Sequence, residues 1–216
     1  LEPLTPNAPF SAHHALVIQF KAKFTFGQKY MRRPYWKINY PSKYPIVSLL
    51  YQRGIPITAA SPDYDYLQIN VEQDINTGIL GSTEYAVSYG MFLNKKNLSF
   101  IDFHHFNTTQ TVFTHRDELK SFRTLPYYRF STDNLFAEVH VQHHFKGWFL
   151  GKIPGIKKLK WQEVIGFHFL YTPTLKDFYE FTIGLENIFR FIRVDFAGGF
   201  IRNESPTFTG RLRIRL

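Results

Sequence analysis

Nine histidines are the residues of this 216-residue chain best suited to chemistry, and they come in groups: His13 and His14, His104 and His105, and His140, His143 and His144. On a strand, adjacent histidines point to opposite faces, whereas His140, Gln142 and His144 share one, which places His140 and His144 to approach a common ion. Zinc asks for three or four ligands held by an oriented second shell, and the sequence supplies no third ligand. The favoured reading is therefore lumenal or interfacial imidazoles, without a metal site. Arg193 and Asp195 also share a face, flanked by Phe191 and Ala197. They fit either a gate or ion path, or, as favoured, a charge network filling an interior in which every buried charge needs a partner. Glu72, Asp74, Glu84 and Glu138 are candidate partners for Lys21, Lys23 and the C-terminal arginines across that interior. Residues 147–158 (GWFLGKIPGIKK) combine Trp148, Phe149 and Leu150 with Lys146, Lys152, Lys157 and Lys158. Such side chains suit a lipid headgroup zone, the preferred reading, over a lid folded into a pore. No Gly-rich phosphate loop, nucleophile elbow or HExxH occurs. No catalytic, cofactor-binding or metal-ligating residue is assigned, and no enzymatic activity is expected.

The elements that carry these residues read as strands. From Leu16, the residues Leu16, Ile18, Phe20, Ala22, Phe24 and Phe26 alternate with Val17, Gln19, Lys21, Lys23 and Thr25, a period of two. The pattern recurs over 46–52, 67–75, 85–91, 135–145, 159–172, 178–186, 189–200 and 207–216. Further strands are expected near 99–106 and across 121–130. Polar turns are expected at 76–78, at Asn94-Lys95-Lys96-Asn97 and at 131–134, and a loop over 107–120. Three prolines at 34, 41 and 45 argue against a central strand in 27–45. Ala86, Ser88 and Gly90, small residues on one face, imply a crowded interior. The sum is about ten strands in one domain, residues 1–216, arranged as a meander of hairpins.

Aromatic residues make up 18% of the chain, yet mean hydropathy is only −0.24 because each apolar residue is followed by a polar one. No run approaches 18 apolar residues, so a transmembrane helix is excluded. The strand alternative in a bilayer is a closed barrel, in which every backbone polar group finds its partner. Zero cysteines exclude a disulfide scaffold and cysteine-based zinc sites. The chain opens on Leu1 without a basic or apolar leader, so any export signal is expected upstream or already removed. A net charge of +9 invites a nucleic-acid test, but the basic residues are scattered and form no recognition pattern, so no nucleic acid is expected as a partner.

Two stretches carry a resemblance: 143–171 (HHFKGWFLGKIPGIKKLKWQEVIGFHFLY) and 178–196 (FYEFTIGLENIFRFIRVDF). The elements are His143-His144-Phe145 ahead of Lys152-Ile153-Pro154, Lys158-Leu159-Lys160-Trp161, Gly184-Leu185-Glu186-Asn187-Ile188-Phe189, and Arg193-Val194-Asp195-Phe196. They cover about a quarter of the chain. Here the sequence resembles the C-terminal β-barrel of a Bacteroidetes outer-membrane family with an N-terminal carboxypeptidase-regulatory-like domain followed by a domain of unknown function. The resemblance implies a barrel loosely similar to the BamA/TamA type, no cofactor and no catalytic residue.

The expectation is an all-β, antiparallel, up-and-down transmembrane β-barrel, or the C-terminal part of a larger one, in a Gram-negative cell outer membrane. Its lipid-facing set is Leu16, Ile18, Phe20, Phe24, Leu67, Ile69, Val71, Tyr85, Val87, Tyr89, Val139, Val141, Ile165, Phe167, Phe169, Ile192, Val194, Phe196, Leu212 and Ile214. An arginine at Val141 should then be costly and one at Gln142 milder. Expected partners are outer-membrane lipids, anionic headgroups included, and other envelope proteins. The favoured function is a non-enzymatic envelope component in outer-membrane assembly or export. A porin-like pore or transporter for small solutes is the alternative, and a soluble β-sandwich or lipocalin-like carrier a third reading.

Overall fold

A computed structural model describes residues 13–114 and 119–214. The chain is all-β, with twelve strands and four single-turn 3-10 segments among the described residues. The strands are β1 (Leu16–Thr25), β2 (Tyr30–Arg32), β3 (Lys37–Asn39), β4 (Ile46–Ile55), β5 (Asp63–Asn76), β6 (Ser82–Asn97), β7 (Phe113–Thr114), β8 (Leu135–His144), β9 (Gln162–Thr172), β10 (Lys176–Ile188), β11 (Ile192–Ile201) and β12 (Thr207–Ile214). Nine of them form a meander in the order β1-β4-β5-β6-β8-β9-β10-β11-β12, each antiparallel to the next. Among the described residues, the outer edge of β12 is joined by the two-residue β7 alone, and in parallel. Among the described residues β1 and β12 do not pair, so the sheet is open. Residues 27–45 contribute no strand to the large sheet, in keeping with their prolines; β2 and β3 form a separate two-stranded ribbon.

The alternation has an unusual sense. The buried, inward residues of β8 to β12 include many polar ones, Glu138, His140, Gln142, His168, Glu180, Thr182, Arg193, Asp195 and Arg211, beside the apolar Phe136, Val164, Leu170, Phe178 and Ala197. The outward residues are apolar and open, with Ile18 58%, Phe181 54%, Ile183 63%, Phe196 64% and Phe208 74% exposed. All twenty residues of the expected lipid-facing set lie on this outward face, and none is buried. A sheet packed for water shows the opposite arrangement. The inner face is crowded, as its small residues suggest: Ala86 is fully buried, and a Cβ on Gly90 would stand 2.4 Å from the Phe136 ring.

Three expectations fail around the inserted segment 98–134. Asn94-Lys95-Lys96-Asn97 is not a turn: it continues β6. Asn94 Nδ2 reaches Asp65 Oδ2 at 3.3 Å, Lys95 Nζ reaches Asp133 at 3.1 Å, and Asn97 Nδ2 donates to the Ser61 carbonyl at 2.7 Å. Residues 99–106 form no strand, because the Ser99–Asp102 capping box winds Phe100–Asp102 into a 3-10 turn. Residues 121–130 are irregular as well. Their apolar members Phe122, Leu125 and Phe130 all turn inward, onto Leu170 of β9 and Phe178 of β10. A second cluster, Tyr64, Tyr66 and Phe136, meets Phe106 of the same segment. The final Arg215 and Leu216 of the expected closing strand lie outside the described residues.

Candidate functional site

The candidate site is the polar interior between β8–β12 and the inserted segment. Glycines create its room. A Cβ on Gly184 would stand 2.2 Å from Asp195 Oδ1, and one on Gly199 2.0 Å from Thr124 Oγ1, so each neighbour's polar group lies over bare backbone. Glu180, fully buried, anchors the insertion. Its carboxylate accepts from the backbone N–H of Arg123 at 2.8 Å, the N–H of Thr124 at 2.7 Å and the Thr124 hydroxyl at 2.7 Å. Charge-assisted bonds to a buried carboxylate are among the strong ones.

Arg193 sits at the centre. Its Nε donates to Asp195 Oδ1 at 2.7 Å and its Nη2 to Gln142 Oε1 at 3.3 Å, while Nη1 lies 3.9 Å from Glu186. Arg123 extends from the insertion to within 3.9 Å of Asp195 Oδ2. Burial lowers the Arg123 pKa, and the Asp195 carboxylate opposes that shift. Arg211 donates to the Thr109 carbonyl, binding β12 to the insertion. The charge network expected of Arg193 and Asp195 is therefore present, and Gln142, Arg123 and Glu180 are its further members.

The histidines do not converge on an ion. His140 Nε2 lies 2.7 Å from Glu138 Oε1 and its Nδ1 2.7 Å from His168 Nδ1. His144 turns instead to Gln142 Nε2, at 2.7 Å, and to Glu186. Among the described residues no group of three His, Asp or Glu is placed to hold a metal. His143 points outward to Thr83, and His13 meets Asp102 at 3.4 Å. Glu72 pairs with Lys120 of the insertion and lies 4.0 Å from Lys23. Glu138 engages His140 rather than a lysine or a C-terminal arginine. Residues 147–158 leave Trp148 and Phe149 exposed, with Lys152 Nζ 4.6 Å from the Trp148 ring centroid. The lid over the interior is 98–134 instead. Gln142 is 1% exposed and bonded on both sides, so an arginine there is costly as well: it would bring a second guanidinium against Arg193.

His104 joins the insertion to the sheet. Its ring stacks on Phe136 at 4.1 Å and its Nδ1 lies 2.9 Å from the Tyr66 hydroxyl, which donates to Gln68. Burial pushes its pKa down to about 4; Glu138 from β8 pulls it up, and neighbouring His105 adds to the lowering. The folded state therefore favours the neutral ring. The resulting stability is complete above pH 6.5 and is lost as pH falls towards 4, by up to about 3 kcal/mol. Proteolysis within 98–134 should accelerate over that window. His104→Gln should flatten this response, and an identical pH profile in the variant would refute the assignment.

The family model for the C-terminal domain of a family of unknown function, DUF5686, matches residues 1–185. The chain belongs to this family. The match takes in β1 through most of β10, so this DUF5686 domain has Glu180 and the whole insertion within the matched residues. Arg193, Asp195 and Arg211 lie beyond them. No curated protein and no solved structure matches the chain.

Proposed function

We propose that this DUF5686 domain is a membrane-spanning β-barrel, or the C-terminal section of one, in a Gram-negative outer membrane, where it serves as a non-enzymatic envelope component in assembly or export. One observation carries the reading: the sheet is inside out, with charged groups buried and Phe, Ile and Val exposed along the opposite face. An apolar surface of that extent is a contact surface for lipid or partner protein. It includes a groove of about 680 Å³ lined by Phe181, Ile183, Phe196, Phe200 and Phe208. In hydrocarbon, unpaired strand edges are not tolerated, so β1 and β12 there need each other or further strands as partners. The resemblance to the Bacteroidetes outer-membrane family and to BamA/TamA-type barrels supports the assembly role.

The polar inner face supports a pore as the second reading, with 98–134 as the obstacle to conduction. Membrane fractionation comes first: recovery of folded protein in buffer without detergent would leave only a soluble carrier. Planar-bilayer conductance then separates the remaining two. The assembly role expects little steady current and envelope defects on deletion, and a wide, steady pore without such defects would overturn it.

A further inference from the structure

Because consecutive strands of the meander are antiparallel, its connections alternate between two ends of the sheet. One end carries the links 26–45, 77–81, 145–161 and 189–191; the other carries 56–62, 98–134, 173–175 and 202–206. Their charges differ sharply. The first set holds five Lys/Arg in 26–45, five in 145–161 and Arg190, with no Asp or Glu at all. The second set holds five acidic and five basic residues. All eleven cations of the first end are exposed, and none is ion-paired among the described residues. The nearest carboxylates, Glu72, Asp74, Glu84, Glu163 and Glu186, lie back within the strands.

Each of the two long basic links touches the β5–β6 hairpin. Gln73 Nε2 donates to the Lys43 carbonyl at 2.7 Å, and Lys146 Nζ donates to the Gly78 carbonyl at 3.2 Å. Aromatic rings stand among the cations: Tyr35 is 91%, Trp36 56% and Phe149 61% exposed, and Lys37 Nζ lies 3.8 Å from the Tyr30 ring centroid. Lysine and arginine mixed with Tyr and Trp, at the rim of an apolar outward face, is the chemistry of a headgroup layer.

Resting on the membrane reading above, we infer that this end docks on phosphate-bearing anionic lipid headgroups, and that the opposite end does not. The distribution favours a lipid surface over a nucleic acid: the cations are spread over two separate exposed links at one end of an apolar wall, where a bilayer surface would lie.

The test titrates the detergent-solubilised protein with mixed micelles containing phosphatidylglycerol or phosphatidylcholine. Phosphatidylglycerol should bind at least about tenfold more tightly in low salt, and the preference should collapse at high ionic strength. Arg32→Glu with Lys157→Glu and Lys158→Glu should abolish it. Reversal of three exposed cations towards the other end, Lys96→Glu, Lys176→Glu and Arg202→Glu, should leave it intact. Circular dichroism of both variants confirms that the comparison is between folded proteins. Equal affinity for the two lipids, equal loss in both variants, or tighter binding to duplex DNA than to phosphatidylglycerol would overturn the inference. So would complete competition by millimolar inorganic phosphate, which would identify a free-anion site. A protein that needs no detergent overturns the membrane reading itself, whereas one that needs detergent but shows no lipid preference overturns only this inference.

Discussion

Glu180→Ala should destabilise the protein by about 3–5 kcal/mol and release the inserted segment. The carboxylate is fully buried and accepts from two backbone N–H groups and a hydroxyl of Arg123 and Thr124. Removing it strands those donors away from water and leaves Arg123 with one fewer counter-charge. Glu180→Gln keeps an acceptor oxygen of nearly the same shape and should lose distinctly less. Limited proteolysis reads the release: cleavage within 98–134 should rise steeply in the alanine variant while the meander strands stay protected. Resistance equal to wild type would mean that the apolar contacts of Phe122, Leu125 and Phe130 hold the segment alone.

Ile183→Arg gives the most direct reading of the environment outside the sheet. Ile183 lies near the middle of β10, on the outward face, 63% exposed. In a bilayer an arginine near the midplane of a barrel's lipid face costs about 2–4 kcal/mol. In water the same change at an exposed position falls within about 0.5 kcal/mol. Reversible unfolding in lipid vesicles measures the difference, and a neutral result there would remove the membrane reading. Arginine at Val141 against arginine at Gln142 does not separate the two solvents, because the packed surroundings of Gln142 make its substitution costly in either.

The strands and their two faces were legible because period-two alternation is a local property. In β1 and β8 the neighbours of each residue suffice to assign its side of the sheet. What covers the polar side was not legible. Phe122, Leu125 and Phe130 read as one more strand, and their inward packing depends on Leu170 and Phe178, some 50 residues away. The same holds for the interior. Arg193 and Asp195 are visible as a same-face pair, whereas Glu180 looks like any polar residue of an alternating strand until Arg123 and Thr124 are brought against it. Asn94 to Asn97 misled for a related reason: a polar run signals a turn only when no partner strand offers carboxylates, and Asp65 does so here.

The insertion also sets an order of events. Each long strand of the meander pairs with its immediate successor in that meander, five of the eight connections being seven residues or shorter, so those hairpins can form one after another. The docking of 98–134 is different: Arg123 must meet Glu180, 57 residues later, and Thr109 must meet Arg211, 102 residues later. Contacts of such separation carry the larger loop-closure cost and form late. The meander therefore assembles with its polar interior still open to water. Seating of the insertion is the concluding step of folding, and slow kinetics in this protein should trace to that step rather than to strand pairing.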